Sequence, residues 1–309
     1  MIITLTPNPA VDQTAWVERL QPGSVHRVID TQIDPAGKGI NVSRMVHRLG
    51  WPTIAFGLLA GETGNIIEKA LEVEEVQYHF VRVPGQTRVN MTVVDRAGQA
   101  TSFFGPGPEV APSSLASLDA LLRFWLQAGR VLVLAGSLPP GIPTDTFASY
   151  VHMARECGVK VILDADGDAL RHGVTARPDL IKPNIAEAER LVGKKLTGTA
   201  AIIRAARELA ADGIGIVVVS MGSQGAICVK GKHVWRVVPP KVERRSTVGS
   251  GDAMVAGLAV ALARGDGIEH GLRLGTSAGA ATAMTLGTAL GTAEAVCRLL
   301  PQVQVEALE

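Results

Sequence analysis

Apolar and polar positions along this chain alternate between two periods. Short β-branched runs bounded by turn residues, Ile2–Thr6, 131–135, 160–163 and Ile216–Ser220, read as strands. Between them the period lengthens to that of a helix. Val42, Met45, Val46 and Leu49 fall at i, i+3, i+4 and i+7, and Gly50, Trp51 and Pro52 stop the run. The same spacing predicts helices over 115–127, 145–156, 199–211 and 253–263. The last of these is apolar nearly all round, so it should be buried. Residues 278–290, rich in Ala, Gly and Thr, read as a tightly packed helix too short to span a bilayer. Alternating strands and helices make an α/β protein, with a mostly parallel sheet covered by helices on both faces.

One region departs from that rhythm. In Arg88–Asp95, Val89, Met91 and Val93 alternate with Asn90, Thr92 and Val94, and "DRAGQ" turns the chain into "ATSFF". This is a hairpin. With "DQTAWV" and "VHRVIDTQI" it predicts a small second sheet outside the main one. The chain therefore reads as one domain over 1–309 with excursions at about 11–35 and 77–104.

Composition narrows the function classes. The 309 residues are 47% hydrophobic, and the formal net charge is +1 with 19% charged residues. A near-neutral balance disfavours nucleic acid as the main partner. Cys157, Cys228 and Cys297 are widely separated, with no CxxC and no Cys/His cluster. Neither a disulfide framework nor zinc is expected, and a reducing, cytoplasmic setting fits. The N-terminus has no signal-type core, and no membrane partner is expected.

Ligands of open parallel sheets bind at the carboxyl ends of the strands. "AGSLPPG", "IKPNIAEAE" and "SMGSQG" all fall at such ends. Late in the chain, "STVGSGDAMVAG" puts Gly249, Ser250 and Gly251 before one carboxylate, Asp252, at the mouth of the apolar helix. Consecutive N–H groups at a helix start bind anions. Asp252 is therefore either a helix cap or a general base beside an anion hole. "DPAGKGIN" offers a second helix start, with Lys38 between Gly37 and Gly39; a surface turn is the alternative. Asn184 and Glu187 share a helix face, which suits either a hydrated Mg²⁺ or a capping box. Asp12 could bind sugar hydroxyls or face water, and Arg27 and Arg88 could bind phosphate or be solvated charges. There is no Walker A sequence, no GxGxxG after a strand and no GxSxG around Ser137.

Together "NPAVD", "AGKGINVSR", "QTRVN", "GSLPPG", "IKPNIAE", "SMGSQG" and "STVGSGDAMVAG" resemble, in order and spacing, the ribokinase/phosphofructokinase-B family of carbohydrate kinases, nearest its hexose-phosphate branch. The resemblance covers essentially the whole chain. It implies a ribokinase-like three-layer α/β/α sandwich with a β-sheet lid that doubles as a homodimer contact. It also implies ATP- and Mg²⁺-dependent phosphorylation of a ketohexose monophosphate. D-fructose 1-phosphate comes first, with tagatose 6-phosphate and fructose 6-phosphate as alternatives. A non-catalytic sugar-phosphate or nucleotide sensor on the same fold is the reading from another class.

The resemblance also implies roles. Asp252 would be the base, and the N–H groups of Gly249, Ser250 and Gly251 the anion hole. Asn184 and Glu187 would organise Mg²⁺. Lys182, Asn184 and the loop holding Ser220, Met221, Gly222, Ser223 and Gly225 would lie along ATP. Asp12, Arg27, Gly37, Lys38, Asn41, Arg88 and Ser137 would contact the sugar phosphate. Two positions depart from the family pattern: Ser250, where Ala is usual, and Ala36, where the first Gly of GGKG is usual.

Overall fold

The protein is described here by a computed structural model covering residues 1–308. The chain opens with Ile2–Thr6 (β1), Ala10–Val17 (β2) and Val28–Ala36 (β3), then Lys38–Arg48 (α1) and Thr53–Leu59 (β4). Gly61–Val73 (α2), Gln77–Arg82 (β5), Arg88–Asp95 (β6) and Ala100–Phe104 (β7) follow. Next come Pro112–Trp125 (α3), Val131–Gly136 (β8), Thr146–Glu156 (α4), Lys160–Ala165 (β9) and Gly167–Thr175 (α5). Leu180–Ile181 (β10), Ile185–Val192 (α6), Gly198–Ala211 (α7) and Ile216–Ser220 (β11) continue the alternation. The chain ends with Ala226–Lys230 (β12), His233–Val238 (β13), Ser250–Arg264 (α8), Ile268–Ala283 (α9), Ala293–Leu299 (α10) and Gln304–Ala307 (β14).

The main sheet has ten strands in the order β14-β13-β12-β11-β10-β9-β8-β1-β4-β5. From β11 to β5 it is parallel, while β12, β13 and β14 add an antiparallel edge. The parallel strands read as continuous apolar runs because both faces are covered. On β8, Leu132 and Leu134 pack into the layer of α3 to α7, while Val131 and Val133 pack into the layer of α1, α8, α9 and α10. The expected α/β class, with a three-layer sandwich and an added sheet, is what the chain forms.

That second sheet has the order β3-β2-β6-β7. Its second excursion begins at β6, later than expected, because Gln77–Arg82 pairs with β4 as the last strand of the main sheet. Register places Ile33, Gln13, Met91 and Phe103 in one row across the four strands. The next row, Asp34, Asp12, Asn90 and Phe104, points to the opposite face.

Three helices differ most from expectation, the first being the one expected over 115–127, which runs over Pro112–Trp125. The packed helix expected over 278–290 ends at Ala283, and a chain of turns follows. The Thr282 hydroxyl accepts from the Gly291 N–H at 3.1 Å, so a side chain holds the segment where a helical bond would have run. The apolar helix α8 begins at Ser250 instead of 253. Gly249, with φ of 76°, is its N-cap in the left-handed region that glycine alone enters freely. α8 crosses α9 closely: a Cβ on Gly257 would lie 2.5 Å from the Gly275 Cα. This contact fixes where the N-terminus of α8 points.

Candidate functional site

The row Leu5, Leu134, Leu163, Ile181 and Val217 lies in register across β1, β8, β9, β10 and β11. Residues just beyond it therefore converge at one sheet edge. A cavity of about 690 Å³ opens there. Lys38, Asp164, Lys182, Asn184, Glu187, Ser220, Ser250, Gly251 and Asp252 all line it. Its other wall sets Pro239, Pro240, Val242 and Met254 among Lys241 and Arg244. Apolar surface with cations beside it suits a phosphate chain attached to a flat base.

Asp252 is the third residue of α8, not its cap: Gly249 caps the helix and no side chain does so. The first N–H groups of the helix have no intrahelical acceptor, so they face the cavity as donors. Asp252 is 8% exposed, and its Oδ2 accepts from Asn41 Nδ2 at 2.8 Å. Burial pushes its carboxyl up to about 6, helped by the negative charge of Asp164; Lys38, Asn41 and Lys182 pull the other way. An acid held near 6 is a base matched to neutral pH. Asn41, expected on the sugar phosphate, thus spends its amide on orienting Asp252. Its Oδ1 is buried without a partner.

Lys38, expected on the sugar phosphate, lies among the acids of the cavity. It opens α1 after Gly37, whose φ of 118° turns the chain into the helix. Its Nζ lies 3.3 Å from Asp164 Oδ1 and 3.8 Å from Glu187 Oε1. It therefore sits between the acids of the cavity. Burial disfavours its charge, but Asp164, Glu187, Asp252 and Asp166 outweigh that and hold the ammonium well above its usual range. Lys182 Nζ lies 3.5 Å from the same Asp164 oxygen. Asp164 is the residue sequence reasoning missed. The signal was present: it is the first polar residue after the apolar run of β9.

Asn184 and Glu187 do form a capping box. Asn184 Oδ1 accepts from the Glu187 N–H at 2.9 Å, and Glu187 Oε2 accepts from the Asn184 N–H at 2.8 Å. The capping and metal readings are compatible, since Glu187 Oε1 stays free of the box. The box leaves Asn184, which lines the cavity, its amide NH₂ and the second lone pair of Oδ1. Among the described residues no group of three or more His, Cys, Asp or Glu converges as a metal cage. Asp164 Oδ2, buried without a hydrogen-bond partner, and Glu187 Oε1 fit a Mg²⁺ whose remaining ligands are water and phosphate oxygens.

Toward the second sheet the remaining residues gather. Asn90 Nδ2 donates to Asp12 Oδ1 at 2.9 Å, and burial raises the Asp12 carboxyl above its usual range. Arg88 donates to the carbonyls of Asn8 and Gly105, while its Nε is buried without a partner. Asn8 Nδ2 donates to Ser137 Oγ at 3.2 Å. Arg27 does not join them. It is exposed ahead of β3, and Val28 to Asp34 spans about 20 Å of strand. In the loop after β11, Ser220, Gly222, Ser223 and Gly225 line the cavity, whereas the Met221 side chain packs into the core.

The pfkB family carbohydrate kinase pattern matches residues 6–295. The chain is 38% identical to a 1-phosphofructokinase of Rhodobacter capsulatus over 309 residues, 99% of this chain and 98% of that one. It is 34% identical to a 1-phosphofructokinase of Bacillus subtilis (strain 168), each covered in full. Its fold is similar to that of phosphofructokinase-2 from Escherichia coli in complex with substrates and products. There the TM-score is 0.93 at 32% identity, covering 97% of this chain and 98% of that one.

Proposed function

The chain belongs to the pfkB family of carbohydrate kinases, and from that premise we propose that it transfers the γ-phosphoryl group of ATP to D-fructose 1-phosphate, forming fructose 1,6-bisphosphate. The observation that carries the reading is Asp252: a buried carboxylate with a pKa near 6, held by Asn41 at the mouth of an anion-binding helix. Likeness to 1-phosphofructokinases over the full length supports this substrate ahead of tagatose 6-phosphate or fructose 6-phosphate. The intact acid–lysine cluster argues against a non-catalytic sensor.

In this reading Asp252 takes the proton of the 6-hydroxyl as that oxygen attacks in line. The N–H groups of Gly249, Ser250 and Gly251 receive the oxygens of the transferring group. Lys38 and Lys182 supply fixed positive charge beside it. Asp164 and Glu187 would hold Mg²⁺, which would supply further positive charge to the phosphates. Arg88, Ser137 and Asp12 bind the sugar phosphate from the second sheet.

Two copies of the chain pair through the outer row of that sheet, where Ile33, Met91 and Phe103 stand exposed. Exposed apolar rows of this kind mark interfaces. A coupled ADP-release assay across a panel of sugar phosphates tests the function. Fructose 1-phosphate should give the highest kcat/KM. A higher value with another ketohexose phosphate would reassign the substrate, and ADP at background with every sugar would leave the sensor.

A further inference from the structure

β3 enters the body of the molecule on a buried carboxylate that the reaction as described does not use. Val28 to Thr31 are exposed, whereas Asp34, on the inner face of the second sheet, is buried. One oxygen of that carboxylate, Oδ2, accepts from Gln32 Nε2 at 2.8 Å, from Thr288 Oγ1 at 2.8 Å and from the Thr288 N–H at 3.3 Å. A buried charge is costly unless it is hydrogen-bonded, so that requirement holds the sheet to the segment after α9. The packing there is close: Gly287 has a φ of 58°, and a Cβ on it would lie 2.8 Å from Gln32 Nε2. Other contacts of the same segment lead to the start of α8. Ser246 Oγ donates to the Gly287 carbonyl at 2.6 Å and accepts from the Val248 N–H at 3.2 Å. The N–H groups of Arg245 and Ser246 reach the Ala283 carbonyl at 2.8 and 3.2 Å. Leu290 is buried beside the cap, since a Cβ on Gly249 would lie 3.2 Å from its Cδ2. The segment 283–291 thus joins β3 to the loop that turns into the anion hole.

We propose that Asp34, through Thr288, is a positioning residue: it sets the anion hole of α8 against the sheet that carries the sugar phosphate. This rests on the kinase reading of the cavity, in which the two substrates are held by different sheets. Asp12 is the register partner of Asp34 on β2, so the tether meets the second sheet beside a residue assigned to the sugar. Neither Asp34 nor Thr288 lines the cavity. What they hold is the distance between the two halves of the site. In-line transfer needs the attacking oxygen and the phosphorus aligned, and a misplacement of about 1 Å costs on the order of 10²-fold. Each substrate binds mainly to one half, so loosening the tether slows transfer more than it weakens either affinity.

Thr288→Val keeps the shape of the side chain and removes its hydroxyl. It should lower kcat about tenfold and leave both KM values within about twofold of wild type. Thr288→Ser, which keeps the hydroxyl, should restore most of the rate. A purely structural bond would lower the melting temperature without that split between kcat and KM. Amide exchange gives a readout that needs no turnover. The Ala253 N–H, bonded to the Gly249 carbonyl at 2.8 Å, closes the first turn of α8. Its exchange in the nucleotide-free protein should quicken at least about threefold in Thr288→Val and return to the wild-type rate in Thr288→Ser. If Thr288→Val does not fold, Ser246→Ala cuts the tether at its other end and should show the same fall in kcat and the same faster exchange. A wild-type kcat in Thr288→Val, a loss that Thr288→Ser does not restore, or a raised sugar-phosphate KM at unchanged kcat would overturn the proposal. If the wild type turns over no sugar phosphate, the kinase reading fails; the tether fails separately, on unchanged Ala253 exchange in Thr288→Val.

Discussion

Asp252 carries opposite demands for activity and for stability. Its pKa is raised by burial from 3.8 to about 6, so the folded chain holds this proton longer than the unfolded one. Stability from this group is therefore greatest below about pH 4, falls as the pH rises to 6 and stays low above that. Asp252→Asn should raise the unfolding free energy at pH 8 by up to about 3 kcal/mol, with the gain vanishing near pH 4. Denaturant melts at the two pH values check this; a variant less stable than wild type at pH 8 would contradict it. The same substitution should lower kcat by at least about 10²–10⁴-fold with little change in ATP affinity. More than a tenth of wild-type turnover would remove Asp252 from the role of base. In the wild type, kcat/KM should fall on the acid side with a midpoint near pH 6, because the base must be ionised. For Arg88→Ala the expected change is a higher KM for the sugar phosphate; weaker ATP binding alone would mean the residue was misassigned.

At the scale of elements, the site depends on one helix crossing. α8 is buried along almost its whole length and lies against α9 with glycine facing glycine. Its N-terminus cannot shift without disturbing this contact. Gly257→Ala forces a methyl onto the backbone of Gly275, and no flexible side chain can yield there. It should cost about 1–3 kcal/mol of stability, read by chemical denaturation. Unchanged stability would show that the crossing has slack. The periodicity of α8 was legible in the sequence, and so was its burial. Its start was not, because a left-handed glycine cap leaves no mark in a hydrophobic pattern. The antiparallel strands β12, β13 and β14 were missed for a related reason: a two-residue-period edge is short, and β14 lies far along the chain from the β13 it joins.

At the scale of the whole molecule, two sheets divide the work. The main sheet brings the acids, the lysines and α8 to one edge, and the second sheet carries Asp12, Asn90 and Arg88 toward it. The outer face of that second sheet exposes Ile33, Met91 and Phe103 with Thr31 and Thr101 beside them, and a second copy is its expected cover. Light scattering should give a dimer, and Ile33→Lys should shift it toward monomer; a wild-type monomer at micromolar concentration would count against pairing. The sequence by itself determined the α/β class, the second sheet and the convergence of the Gly-rich stretches, because these follow from periodicity and from strand ends. It also singled out Asp252. Only the tertiary structure decided that Asp252 is not a cap, that Asn41 and Lys38 serve the acids, that Asp164 belongs with them, and that Arg27 stands apart. These depend on contacts across as many as 211 positions of chain, and no local pattern encodes which side chain meets which after the sheet has assembled.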